Sequence, residues 1–178
     1  MKTLFTYLLL STIYLLLTTS TNASYVLPYP SYMPGNKIYR ISRVVDHLKN
    51  YWYFGNIAQV KYHLSLSDKY LVEAKTLFEY NQYLLATDAL VRSDKEFLQL
   101  PVHIKGAKEE GADVINLKNL IGESAKKHTE VLSNLLMIAP ADFTWTPEKA
   151  KPTELNLQKS IQSSLDIRNS TAIQTSAY

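Results

Sequence analysis

Residues 56 to 100 constrain the fold more tightly than any other stretch of this chain. Apolar or small side chains recur there at steps of three and four, first Ile57, Val60, Leu64, Ser67, Leu71, Ala74 and Phe78, then Tyr83, Ala86, Leu90, Ser93, Phe97 and Leu100. That is the period of a helix showing one face to a core. Only Asn81 and Gln82 stand between the two stripes, so the spacing predicts two antiparallel helices packed as a hairpin. Ser67, Ala74, Ala86 and Ser93 interleave with Leu71, Phe78, Leu90 and Phe97, which lets large side chains drop opposite small ones. The first rod is expected to run to about Tyr80. The second is expected to end at Pro101, which disfavours helix at Leu100 and cannot donate to the ladder.

The rest of the chain reads as helices added to this pair. Pro34-Gly35 is a turn dipeptide and Asn36 a good N-cap, after which Ile38, Ile41, Val45, Leu48 and Trp52 form a helical stripe. Gly55-Asn56 is expected to stop that helix and cap the next. Gly106 and Gly111 predict a break before a long stripe of Val114, Leu117, Ile121, His128, Val131, Leu135 and Ile138, closed by Pro140. PADFTWTP reads as a loop, and Thr153 as the cap of a last helix with Leu155, Ile161, Leu165 and Ile167 inward. The polar RNSTAIQTSAY, residues 168–178, reads as a flexible tail. Nothing suggests paired strands. The expectation is therefore all-α: an antiparallel hairpin extended to a small irregular bundle of four to five helices over residues 37–167, behind an extended Pro-rich lead at 24–36.

Length and charge narrow the function. At 178 residues the chain suits one domain with a modest core. Nineteen basic against sixteen acidic residues, with no concentrated basic stripe, argue against a nucleic-acid partner. Met1-Lys2 followed by the apolar LFTYLLLSTIYLLL reads as a signal peptide over residues 1–23, with cleavage after Ala23; an uncleaved anchor at residues 4–21 is the alternative. The expected location is thus secreted or extracytoplasmic, with membrane contact only through the N-terminal segment if it is retained. Without a single Cys, stability in an oxidising space must come from packing alone. Sequons at Asn22 and Asn169 matter only in a glycosylating host.

Chemistry is thinly represented. The four histidines, at 47, 63, 103 and 128, show no i, i+4 pair and no Glu three residues before a His. His128, on an apolar stripe, reads as a hydrogen-bonded core histidine. His103 with Glu109, Glu110 and Asp113 is the one cluster able to hold a cation, although Lys105 and Lys108 offset its charge as on a solvated face. There is no G-x-S-x-G elbow, no cysteine nucleophile and no glycine-rich phosphate loop, so neither a cofactor nor catalytic residues are expected. Tyrosine stands out, with thirteen in all. Tyr51, Trp52, Tyr53 and Phe54 are consecutive and cannot all face one core, so they are either covered by the proline-rich lead or form a binding patch. As binding residues the candidates are Tyr51, Trp52, Tyr53 and Phe54, with Pro28 and Pro30 of the lead. Pro28, Pro30 and Pro34 bias the lead to an extended path that serves as a stiff spacer or as a strap over the first helix.

Several segments together carry a resemblance: LPYPSYMPGNKIYRISRVVDHL, KYHLSLSDKYLVEAKTLFE, ALVRSDKEF, ESAKKHTEVLSNLL and TPEKAKPTELNLQKSIQSS. With Pro28, Pro34, Tyr39, Lys61, Leu64, Lys69, Leu71, Glu73 and Ala74 in place, the chain resembles a bacterial family of secreted or membrane-anchored helical domains, the domain-of-unknown-function family 5667. Members commonly have Arg-Leu where this chain has Tyr70-Leu71, which puts a shared ion pair to Glu73 in question. The resemblance implies an envelope location and a helical fold and implies no catalytic residues. The expected function is an exported, non-enzymatic helical domain that binds a protein partner or the cell envelope. The alternatives are a metal-binding or hydrolytic envelope domain centred on His103, Glu109, Glu110 and Asp113, and a self-associating module using the long stripe of residues 114–138.

Overall fold

The computed structural model describes residues 24–178, so the expected leader, its cleavage and its alternative as an anchor lie outside the described residues. The fold is all-α. Six α-helices are present among the described residues: α1 (Lys37–Lys49), α2 (Asn56–Glu79), α3 (Tyr83–Phe97), α4 (Leu100–Glu109), α5 (Ile115–Ile138) and α6 (Leu157–Ala177). A 3-10 turn at Asn50–Trp52 follows α1, and two short strands, β1 (Asp142–Trp145) and β2 (Thr153–Asn156), precede α6. Helices α2 to α6 form the bundle.

The hairpin of α2 and α3 is the largest contact in the molecule, and its turn explains itself residue by residue. Asn81 takes the left-handed conformation (φ 57°) just beyond α2. Its amide donates to the Phe78 carbonyl while the Gln82 amide donates to that of Leu77, the paired bonds that close a helix around a left-handed residue. Gly111 (φ 82°) repeats the device at the end of α4. Along the hairpin, Ser67, Ala74, Ala86 and Ser93 are fully buried. Ser67 and Ser93 each donate to the other's backbone carbonyl, at 3.0 and 2.8 Å, so the rods cross at side chains small enough to bond across.

The apolar core has two main parts, beside a small third cluster of Tyr62, Leu66 and Tyr70 on α2. One lies at the turn end, built on Leu71, Phe78, Leu90, Leu132, Leu135 and Ile161. The other lies at the far end, built on Val60, Leu64, Phe97, Leu100, Ile104 and Ile121. Helix α6 returns along α5 and against α3 and α4.

Several expectations are corrected. Pro101 does not close a helix; it occupies the first turn of α4, where backbone donors have no helical partner to lose. Asn56 is the first residue of α2, with no side-chain cap there. Its side chain instead donates to Glu110 and meets His103, and a Cβ at Gly106 would come within 2.6 Å of it. PADFTWTP is partly strand: Phe143 pairs with Leu155 in an antiparallel ladder and packs edge-on against Tyr83. Thr153 therefore sits in β2, and Asn156 caps α6 by accepting from the Lys159 amide. Residues 168–177 are not a loose tail but the second half of α6, with Arg168, Thr171 and Thr175 buried. Of the stripe of residues 114–138, Val114, Leu117, Ile121, His128, Val131 and Leu135 are buried in the bundle and Ile138 is exposed.

Candidate functional site

Helix α1 is mounted with its polar side inward. Amphipathic helices at protein surfaces ordinarily bury the apolar stripe, and here the inward positions are Tyr39, Ser42, Arg43 and Asp46, spaced by three and four along one face. Each has a partner on α2. The Tyr39 hydroxyl donates to Glu73 (2.7 Å), and Lys69 donates to Ser42 (3.1 Å) and to the Asp46 carboxylate. Arg43 lies over the Tyr70 ring, 5.9 Å from its centroid, and the Tyr62 hydroxyl donates to the Asp46 carbonyl (2.7 Å). Asp46 is 6% exposed, while Ile41 is 62%, Val44 59%, Leu48 50% and Trp52 72% exposed. The helix is held on by hydrogen bonds and charge, and its hydrophobic stripe faces away from the bundle.

The aromatic run continues that outward face. Tyr51, Trp52 and Phe54 are exposed and the lead does not cover them. Tyr53 is different: its ring packs on Tyr62 at 5.1 Å and its carbonyl accepts from Gln59. Pro28 shares a groove of about 420 Å³ with Tyr53, Lys49 and Leu66. Pro28 also lines a second groove, between the lead, α2 and α5, which it shares with Pro30, Val72, Val131 and Ile138. The six sequence candidates are therefore not one patch. Tyr51, Trp52 and Phe54 belong with α1, whereas Pro28 stands between two grooves, sharing one with Tyr53 and the other with Pro30.

The lead is fixed to the bundle by named contacts. Tyr25 donates its hydroxyl to Asp68 on α2, and Leu27 and Met33 pack against the turn-end core. Burial, then the Asp68 charge beside it, pushes the Tyr25 phenol up, so the hydroxyl keeps its proton and remains a donor.

Asp68 leads into a buried polar layer that separates the two apolar cores. His128, from α5, meets the Asp68 carboxylate through Nε2 at 2.7 Å. Arg168, from α6, donates through Nε to His128 Nδ1 (3.0 Å), through Nη1 to Asp94 (2.7 Å) and through Nη2 to Ser93 Oγ (2.8 Å), the last two on α3. Ser164 donates to the second Asp94 oxygen at 2.7 Å. Because Nδ1 accepts from Arg168, the single imidazole proton is on Nε2 and is donated to Asp68. Sequence reading reached His128 as a hydrogen-bonded core residue but missed Arg168, whose polar surroundings in the sequence resemble a tail. The signal available was the spacing of Ser164 and Arg168, four apart on the face that carries Ile161 and Leu165.

Ser124, His128 and Asp68 invite comparison with a hydrolytic triad, and the geometry argues against it. Ser124 Oγ and the Asp68 carboxylate both lie on the Nε2 side of the ring, at 3.3 and 2.7 Å from that atom. A general base needs the nucleophile on one nitrogen and the orienting carboxylate on the other. Arg168 occupies the second nitrogen, and Ser124 and His128 are fully buried. The layer is a packing device.

The cation cluster of the sequence is likewise dispersed. His103 Nδ1 is bonded to Asn56 (3.0 Å) and its ring stacks on His63; burial, then the neighbouring His63, pushes its pKa down. Glu110 accepts from Asn56, Glu109 pairs with Lys105, and Asp113 accepts from the Ile115 amide to start α5. Among the described residues no three His, Cys, Asp or Glu side chains are placed to hold a metal ion. Glu73 does form an ion pair, with Arg92 of α3 at 2.9 Å and not with a residue of its own helix. No helix among the described residues is long and apolar enough to cross a membrane. Comparison with protein-family models, with curated proteins and with solved structures finds no match to this chain.

Proposed function

We propose that this chain is an exported, non-enzymatic helical domain that docks onto a component of the cell envelope through the outward face of α1 and the aromatic residues after it. The observation that carries the reading is the mounting of α1: its polar side is bonded to α2 and its apolar stripe is left in solvent. Contiguous exposed apolar surface of this kind marks an interaction site. Export is supported by the N-terminal sequence, and the non-enzymatic character by the layer geometry, in which His128 has no nitrogen free to act as a base.

The chain has no native Cys, so single cysteines report position cleanly. Ile41→Cys is expected to react with a membrane-impermeant maleimide at least tenfold more slowly in intact cells than in the purified protein. Ser170→Cys, exposed on α6, is expected to react alike in both. Equal protection ratios at 41 and 170 would end the docking reading.

A further inference from the structure

We infer that the occupant of the α1 face is an anionic lipid bilayer, with α1 lying in the plane of the interface. This rests on the docking reading and names its partner. The stripe of Ile38, Ile41, Val44, Val45, Leu48 and Trp52 offers an outward face without a hydrogen-bonding group other than the Trp52 indole, which suits hydrocarbon better than the patterned polar rim of a protein interface. At about 100° per residue, Arg40 borders one edge of the stripe and Lys49 the other, with Lys37 at the N-terminal end. All three are exposed, and long cationic side chains in that position bury their stems and place the charge among headgroups. Tyr51, Trp52 and Phe54 supply at the other end the rings that settle at a membrane surface.

Charge complementarity selects an anionic surface. Residues 24–67 contain five Lys or Arg and one acid, Asp46, whereas residues 68–178 contain thirteen Lys or Arg and fifteen acids. That single acid is buried and bonded to Lys69. The outward surface of α1 therefore shows cations with no exposed carboxylate among them, while the remainder of the molecule is slightly negative and would be turned away from the same surface.

The test uses the chain from Ser24 onward, the form left by the expected cleavage, because the apolar run upstream would itself bind vesicles. Both apolar cores lie wholly within that form. It is expected to sediment with vesicles of mixed phosphatidylglycerol and phosphatidylcholine and to stay in solution with phosphatidylcholine alone. Lys37→Gln with Arg40→Gln should weaken binding roughly twenty-five-fold, at about fivefold per cation. Ile41→Asp with Leu48→Asp should abolish it while leaving the melting temperature unchanged, since both side chains are exposed. Equal binding to neutral and anionic vesicles would overturn the proposal. So would a lack of vesicle binding with residue 41 still protected in cells, which leaves docking to a protein in place. A dimer that forms with concentration and disappears in the Asp variants would make the occupant a second copy and also overturn it. Loss of protection at residue 41 in cells is the separate failure that removes the docking reading itself.

Discussion

His128 accepts one hydrogen bond and donates one, and the pair fixes its charge. Arg168 Nε points a proton at Nδ1, so the imidazole cannot take a second proton without setting two donors against each other. Burial lowers its pKa most; the Asp68 hydrogen bond opposes this and Arg168 reinforces it, with the net direction downward from the ordinary 6.5. The groups facing it are Asp68 from α2, Asp94 by way of Arg168 from α3 and α6, and Ser124 from its own helix. With the folded pKa below the unfolded one, the unfolded chain takes up the proton first. Stability from this site is therefore complete above about pH 6.5 and is lost as the pH falls below it toward the folded pKa. The melting temperature is expected to fall between pH 6.5 and 5, and His128→Gln to flatten that slope whatever its effect on stability at neutral pH. His103 shifts in the same direction but from a partly exposed position where solvent screens it. An unchanged slope in His128→Gln would remove this account.

Helix α1 shows what an element contributes when charge and not apolar burial attaches it. Lys69 is its principal clasp, bonded to both Ser42 and Asp46. A hydrogen bond to a charged group contributes about 1.5 to 3 kcal/mol, so Lys69→Ala should accelerate amide exchange over residues 37–49 by tenfold or more and leave α2 to α6 protected. Uniform protection would show that α1 is held by something else. This element also marks where the sequence was legible and where it was not. The period of α1 and its cap at Asn36 were readable because both are local, and the structure has the Asn36 side chain accepting from the Ile38 amide. Its orientation was not, because a stripe shows that a helix has two faces without saying which one the bundle binds. The α2 and α3 pair was legible as a hairpin with its turn at Asn81 and Gln82, since stripe, break and small-residue pattern agree within forty-five positions, while its outer ends were not, α3 stopping at Phe97 and Pro101 opening the next helix. The β1 and β2 ladder was not, because four-residue strands are too short for period two to stand out. Composition singled out Tyr51, Trp52 and Phe54, which the structure leaves exposed, while their separation from Pro28 and Pro30 depended on the path of the lead over α2.

At the scale of the molecule the bundle is two apolar layers divided by a charged one, and four helices reach that division with a residue each: Asp68, Asp94, His128 and Arg168. Packing supplies the stability, so Leu71→Ala in the turn-end layer, at a fully buried position, should cost about 2 to 5 kcal/mol in denaturant unfolding. The division supplies register, because a shift of any helix by one turn would set apolar side chains against carboxylates. Arg168 is central to it, being fully buried and bonded to α3 and α5 at once from α6. A chain ending at residue 167 keeps every residue of the turn-end core cluster yet leaves Asp94 without its cation and His128 Nδ1 without a donor. Breaking a buried ion pair from one side typically costs about 3 to 5 kcal/mol. The shortened chain is therefore expected to lose at least that much in urea unfolding, and Arg168→Met in the full chain most of it. A shortened chain as stable as the full one would mean that the last ten residues of α6 are dispensable, and that the two apolar layers hold together without the charged plane between them.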